Sequence, residues 1–249
     1  MASNTIPTKA YDSVFEVVHW IDKRQLQLML TGQASKRHTR TEKVLARYTK
    51  RGKLRTVKFE RRLVYSLPRK SKNFNEFEGL AKIRHGLACT ECLVRTYRSN
   101  VNGMIVPERE FYGLGSVPEW GIIYPQKTML LLEFATKSNF LFSGLMRGKM
   151  NAYKKNLSVI EQKFDAKATV LFVIDVPRLT VEKFVGTLKR DVGSVADGDQ
   201  SALYGGDSFP FNPFRFTDFE TFCKVPFEQQ LKAPIYFWID AKEYPLREK

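Results

Sequence analysis

Two glutamates at the ends of apolar runs carry the spacing that points most directly to chemistry. The runs are V-P-E-W-G-I-I-Y and T-M-L-L-L-E-F-A-T-K, separated by P-Q-K. A turn centred on Gln126 makes facing residue numbers sum to 252, which sets Glu119 opposite Glu133. Facing Cβ atoms of paired strands lie about 4.5–5.5 Å apart. Two carboxylates that close repel unless a cation or a proton separates them. A divalent cation with oxygen ligands, Mg²⁺ or Mn²⁺, is one resolution, with Glu119 and Glu133 as its ligands. Such a metal activates water and stabilises the departing oxygen of a phosphodiester. By the period of two along a strand, Ala135 and Lys137 fall on the same face as Glu133.

A second group of residues is set apart by charge alone. The chain of 249 residues carries a formal net charge of +15. Residues 1–75 hold a net +13 of it and residues 76–249 only +2. Such an asymmetry predicts two modules, the first facing an acidic partner, nucleic acid before membrane surface. The candidate DNA contacts are Lys36, Arg37, His38, Arg40, Lys43 and Arg47, followed by Arg55, Lys58, Arg61 and Arg62. Lys149, Lys154 and Lys155 form a further candidate stripe in the second module.

The elements that must position these residues follow from periodicity. Val14, Val17, Val18 and Ile21 at helical spacing predict a helix over 12–21. Asp22 is a candidate N-cap for a short helix Lys23–Leu30, with Gly32 as its stop. A third helix is predicted from about Arg37 to Tyr48, with Gly52 beyond it. Leu54, Val57 and Phe59, then Leu63, Tyr65 and Leu67, alternate around Glu60–Arg62 and predict a two-stranded ribbon with a basic tip. P-R-K-S-K-N reads as a linker and puts the domain boundary near 72, giving modules 1–72 and 73–249.

The second module opens on a predicted long helix, 74–98, in which Gly86 is a possible kink. M-I-V-P reads as an edge strand, because Pro107 excludes a central one. The two glutamate runs make a hairpin. Residues 139–165 read as a basic helix and 168–174 as a buried strand. A helix over Thr180–Arg190 with Thr180 as cap follows, and 191–214 reads as a long loop. Phe216, Phe219 and Phe222 are assigned to the core. The order predicts an α/β (α+β) layered domain.

Three short helices followed by a basic ribbon resemble a winged helix-turn-helix, whose third helix reads a major groove while the wing meets phosphate. The hairpin resembles the PD-(D/E)XK nuclease superfamily, a restriction-endonuclease-like fold with a central mixed sheet. There an acid begins one strand and an acid-x-Lys triplet sits on the next. P-E at 118–119 matches the first acid and E-F-A-T-K at 133–137 the triplet, with Ala135 where the lysine belongs and Lys137 two residues late. That resemblance implies Glu91, Glu119, Glu133 and Lys137 as catalytic residues. The basic first module together with H-G-L-A-C-T-E, P-E-R-E, P-E-W, L-L-L-E-F and Lys149-x-x-x-Tyr153 resembles the bacterial replication-relaxation family. It implies a cytoplasmic, nucleoid- or plasmid-associated accessory protein of a plasmid or integrative element. Its expected partners are double-stranded DNA and a relaxase or replication initiator at an origin. Two alternatives stay open, a Mg²⁺-dependent endonuclease and a winged-helix repressor.

Other classes are bounded by what is missing from the sequence. No run of 18 apolar residues would span a membrane, and the first 20 residues do not read as a signal peptide. Three cysteines make no disulfide framework. C-T-E-C at 89–92 has the spacing of half a zinc site but no second half, so Cys89 and Cys92 read as core thiols. There is no phosphate-binding G-x-x-x-x-G-K-[ST] loop, and three histidines make no relaxase-type cluster.

Overall fold

The computed structural model describes residues 8–32, 39–68, 76–98, 103–141, 143–193, 213–224 and 239–240. The chain divides into two compact units, Met1–Val101 and Asn102–Lys249. In the first, α1 (Thr8–Val17), β1 (Ile21–Asp22), α2 (Lys23–Thr31) and α3 (Thr39–Lys50) precede β2 (Arg55–Phe59), β3 (Arg62–Ser66) and α4 (Glu76–Arg98).

Asp22 starts α2 as the sequence predicts, and Gly32 ends it in the left-handed region at φ 69°. The first helix is shifted from its expected place. It stops at Val17, and Ile21 pairs with Tyr65 as a short strand. The three strands lie in the order β1-β3-β2, all antiparallel.

The ribbon turns on two residues, Glu60 at φ 45° and Arg61 at φ 66°. Phe59 therefore pairs with Arg62 and Val57 with Val64. Odd positions of β2 share a face with even positions of β3. Val64 is buried, and so is Tyr65 as expected, whereas Leu63 and Leu67, also expected inside, are exposed. A three-residue tip would have produced the expected alternation; the two-residue turn reverses it on β3.

Helix α4, which the sequence reading assigns to the second module, packs in the first unit. Ile83 and Leu87 join Trp20, Phe59 and Val64 in one core cluster. Thr90 Oγ1 donates to the Trp20 carbonyl at 2.7 Å. Gly86 is no kink: a Cβ there would lie 2.8 Å from Trp20 Cδ1, so its lack of a side chain admits the indole. The division of the chain thus falls near residue 101, beyond the linker expected at 72.

The second unit is a mixed α/β layer. Its elements are β4 (Met104–Pro107), a 3₁₀ turn over Glu108–Phe111, β5 (Trp120–Tyr124) and β6 (Thr128–Ala135). Then come α5 (Lys137–Leu141), α6 (Ser143–Phe164), β7 (Lys167–Ile174) and α7 (Arg178–Gly193). It closes with β8 (Phe214–Asp218), α8 (Phe219–Lys224) and β9 (Ile239–Asp240). The described strands form one sheet in chain order, β4 to β9. β6, β7 and β8 run parallel and the flanking pairs antiparallel.

Both faces of β6 and β7 are buried, as their continuous apolar runs require. Met129, Leu131 and Ala135 pack with Val170, Phe172, Phe216, Ile160 and Val181 on one side. On the other, Phe134 meets Phe219 edge-on at 5.2 Å. Each large side chain so buried contributes about 1.5–3 kcal/mol. Helix α7 begins at Arg178, two residues before the expected cap at Thr180. β8 lies at the end of the stretch read as a loop, with Phe214, Phe216 and Phe222 in the core. Most of the predicted loop falls outside the described residues. Among the described residues no helix is long and apolar enough to cross a membrane.

Candidate functional site

The first unit builds its basic surface on α3 and on the β2–β3 ribbon. Thr41, Leu45 and Tyr48 turn α3's inner face to the core. The Tyr48 hydroxyl donates to Asp12 Oδ1 of α1 at 2.8 Å. Burial, and then that carboxylate, push the phenol up to about 12. Lys23 of α2 holds Glu42 at 2.5 Å. What α3 leaves outside is a row of cations, Lys43, Arg47 and Lys50, at i, i+4 and i+7 and all exposed. Within the description none of the three is ion-paired. Seven residues of helix rise carry the row over about 10 Å, roughly three base-pair steps of duplex.

Lys58 and Arg61 are also exposed. Two other predicted contacts are committed within the fold. The Arg55 guanidinium lies 5.3 Å from the centre of the Trp20 ring, a cation–π contact. Arg62 donates to Asp22 Oδ2 at 2.8 Å and so fastens β3 to the start of α2. Asp22 Oδ1 meanwhile accepts the Gln25 amide at 2.8 Å, and Gln25 Oε1 accepts the Asp22 amide at 3.2 Å, a complete capping box. Of Arg40 only its place in α3 is described, and Lys36, Arg37 and His38 lie outside the described residues.

Glu91, the acid assigned to a metal by resemblance, sits on α4 in the first unit. Arg24 donates to it, as do Arg95 Nε at 3.2 Å and Gln25 Nε2 at 3.2 Å. Its charge is balanced where it stands. Cys89 and Cys92 are buried thiols, with Cys89 Sγ 3.5 Å from His85 Nε2.

In the second unit the hairpin register is the expected one. Trp120 pairs with Leu132 and Tyr124 with Thr128, every pair summing to 252. The ladder stops at Trp120, however. The Glu119 amide donates to the Leu132 carbonyl at 2.9 Å, so Glu119 and Trp120 both meet Leu132, as in a β-bulge. Glu119 is half-buried. It stands near enough to raise the Glu133 carboxyl, though not squarely opposite it.

Glu133 is almost completely buried, on the face of β6 that α6 covers. Lys149 and Tyr153, one helical turn apart on α6, both reach it. The Lys149 ammonium donates to Oε2, and the Tyr153 hydroxyl donates to Oε1 at 2.7 Å. Burial pushes the Glu133 carboxyl up, Lys149 and Tyr153 oppose that shift, and Glu119 adds to it. Burial and the neighbouring Glu133 carboxylate raise the Tyr153 phenol well above its usual range. Lys137 is elsewhere: β6 ends at Ala135, and Lys137 opens α5 with its side chain exposed. Lys154 and Lys155 are exposed on α6.

The spacing Lys149-x-x-x-Tyr153 was visible in the sequence, but its target was not. The available signal was one charged residue inside an otherwise apolar strand. Mg²⁺ and Mn²⁺ require several oxygen acceptors. The described groups that converge on Glu133 are an ammonium and a phenolic hydroxyl, both donating to it. This donor set does not fit a divalent cation held by Glu119 and Glu133. Comparison with known protein families, with curated proteins and with solved structures gave no match.

Proposed function

We propose that this chain is a double-stranded-DNA-binding accessory protein of a plasmid or integrative element. It acts at an origin, in replication initiation or conjugative DNA processing, beside a relaxase or replication initiator. The first unit docks as a winged helix-turn-helix. α3 enters a major groove and the β2–β3 ribbon is the wing, with Lys58 and Arg61 toward phosphate. The second unit is a nuclease-like domain used for contacts rather than cutting. The observation that carries the reading is the row Lys43–Arg47–Lys50 on the outer face of α3, exposed and without ion-pair partners in the described structure. A cationic row on a helix held by its opposite face suits an anionic polymer better than a protein groove. The three helices and the strand order β1-β3-β2 support the same reading.

Salt dependence of duplex binding tests it. Each phosphate contact contributes about 0.9 to the slope of log affinity against log salt. Replacing Lys43, Arg47 and Lys50 by Ala should lower that slope by about 2.7. The affinity lost between about 50 and 200 mM salt then shrinks by roughly 40-fold. Fluorescence anisotropy on a labelled duplex reads both quantities. A triple variant with unchanged affinity and slope would sink the docking of α3.

A further inference from the structure

We propose that Lys149 is a built-in counter-ion for Glu133, standing where a nuclease-like site would place a divalent cation. It thereby makes its contact with Glu133 a metal-independent clamp of α6 on the sheet. β6 must be buried on both faces, because sheet neighbours and covering elements enclose it. A carboxylate in such a strand loses its water and needs a cation or donors in return. Glu133 has both. The Lys149 ammonium meets one oxygen and the Tyr153 hydroxyl the other, and the two donors come from successive turns of the same helix.

Glu119, whose amide bonds the Leu132 carbonyl, is close enough to push the Glu133 carboxyl further up, the smallest of the causes acting on it. Lys149 supplies a cation permanently, because its ammonium meets Glu133 while its side chain as a whole remains about half exposed, at 48%. Tyr153 is 1% exposed and packs its ring edge-on against Phe172 at 6.4 Å. The polar contact is therefore embedded in the apolar seam between α6 and the sheet. A divalent ion would have to displace Lys149 from Glu133 and would meet a phenolic hydroxyl already donating.

The inference deepens the reading of the second unit as nuclease-like without cutting. It does not depend on DNA docking, and its test contains no DNA, so the two can fail separately. The test uses the full chain and Mn²⁺ as the probe. Wild-type protein should show no Mn²⁺ binding, by electron paramagnetic resonance, that Glu133→Gln removes. Its melting temperature should be the same in EDTA and in Mn²⁺. Lys149→Met should lower the melting temperature by about 5–10 °C, the low end for breaking a buried pair because the lysine is half exposed. Lys149→Met combined with Glu133→Gln should recover most of that loss, since a neutral amide needs no counter-ion. If the single variant does not fold, recovery of folding in the double variant supports the proposal equally.

Three results would overturn it. One is Mn²⁺ binding or Mn²⁺-dependent stabilisation of the wild type that vanishes in Glu133→Gln. Another is a Lys149→Met protein as stable as the wild type. The last is a double variant no better than the single one.

Discussion

Replacing Asp22 by Ala should unfasten the first unit at the point where its helix–strand contacts meet. The residue is 4% exposed, and its side chain makes two separate bonds. The first is the N-cap of α2, where Oδ1 accepts the Gln25 amide at 2.8 Å. Loss of such a cap costs about 1 kcal/mol and up to about 2 when the amide is left buried without a partner. The second is the ion pair with Arg62, whose own side chain is 47% exposed. Solvent screening limits that pair to about 0.2–1 kcal/mol. The reciprocal bond from the Asp22 amide to Gln25 survives, since it uses backbone.

The total is about 2–3 kcal/mol for Asp22→Ala. At about 4–8 °C per kcal/mol for a unit near this size, the melting temperature falls by roughly 10–20 °C. Asp22→Asn keeps the capping oxygen and loses only the charge, so it should cost under about 1 kcal/mol. Calorimetry on the two variants, with Arg62→Ala for a double-mutant cycle, measures each part. Equal losses for Asp22→Ala and Asp22→Asn would refute the assignment of most of the energy to the cap. A coupling well above about 1 kcal/mol between Asp22 and Arg62 would refute the screening argument. It would also make Arg62 first of all a residue of the fold.

Two further variants probe the packing around the sites. Tyr153→Phe keeps the ring against Phe172 but removes the donor to a buried carboxylate oxygen. It should cost about 1–3 kcal/mol by thermal unfolding, while Lys154→Ala on the exposed side of the same helix should stay within about 0.5. Gly86→Ala gains up to about 1 kcal/mol of helix propensity but drives a methyl group to within 2.8 Å of Trp20 Cδ1. A net loss of about 1–2 kcal/mol with a shifted tryptophan emission is expected, and a more stable variant would show that Trp20 can withdraw at no cost.

What the sequence disclosed and what it hid divide along sequence separation. The β5–β6 hairpin was readable to the residue because a three-residue turn joins two apolar runs, and local geometry alone sets its register. The Asp22 cap and the Gly32 stop are equally local. The parity of β3 was misread because one residue more or less in the turn inverts a strand's faces. Ile21 was misread because a strand of two residues is defined by its partner Tyr65, 44 positions away, and by no periodicity of its own. β8 was hidden by Pro210 and Pro213 beside an Asp- and Gly-rich tract.

The same limit governs the sites. The cationic row on α3 follows from helical spacing and was largely legible in Lys43 and Arg47, with Lys50 missed. The register up to Trp120 and Leu132 was legible because it is local, but the bulge that keeps Glu119 from facing Glu133 was not. Nor was the cation at Glu133, because Lys149 reaches it only through the packing of α6 on β6. Lys137 was the nearer lysine in sequence, but β6 ends before it and the chain turns into α5.

The tip of the β2–β3 ribbon is held in a costly backbone conformation. Glu60 and Arg61 both occupy the left-handed region, where a residue with a side chain costs about 1–2 kcal/mol more than glycine. Glu60 offsets part of this through its contact with Arg84 on α4, at 3.2 Å. Arg61 has no comparable contact among the described residues, so its side chain serves the solvent side alone. Conformational ease and surface charge are therefore opposed at a single position. A glycine at 61 would make the ribbon easier to close and would remove one positive charge from its tip. The apex thus keeps a charged side chain at a position where backbone conformation alone favours glycine.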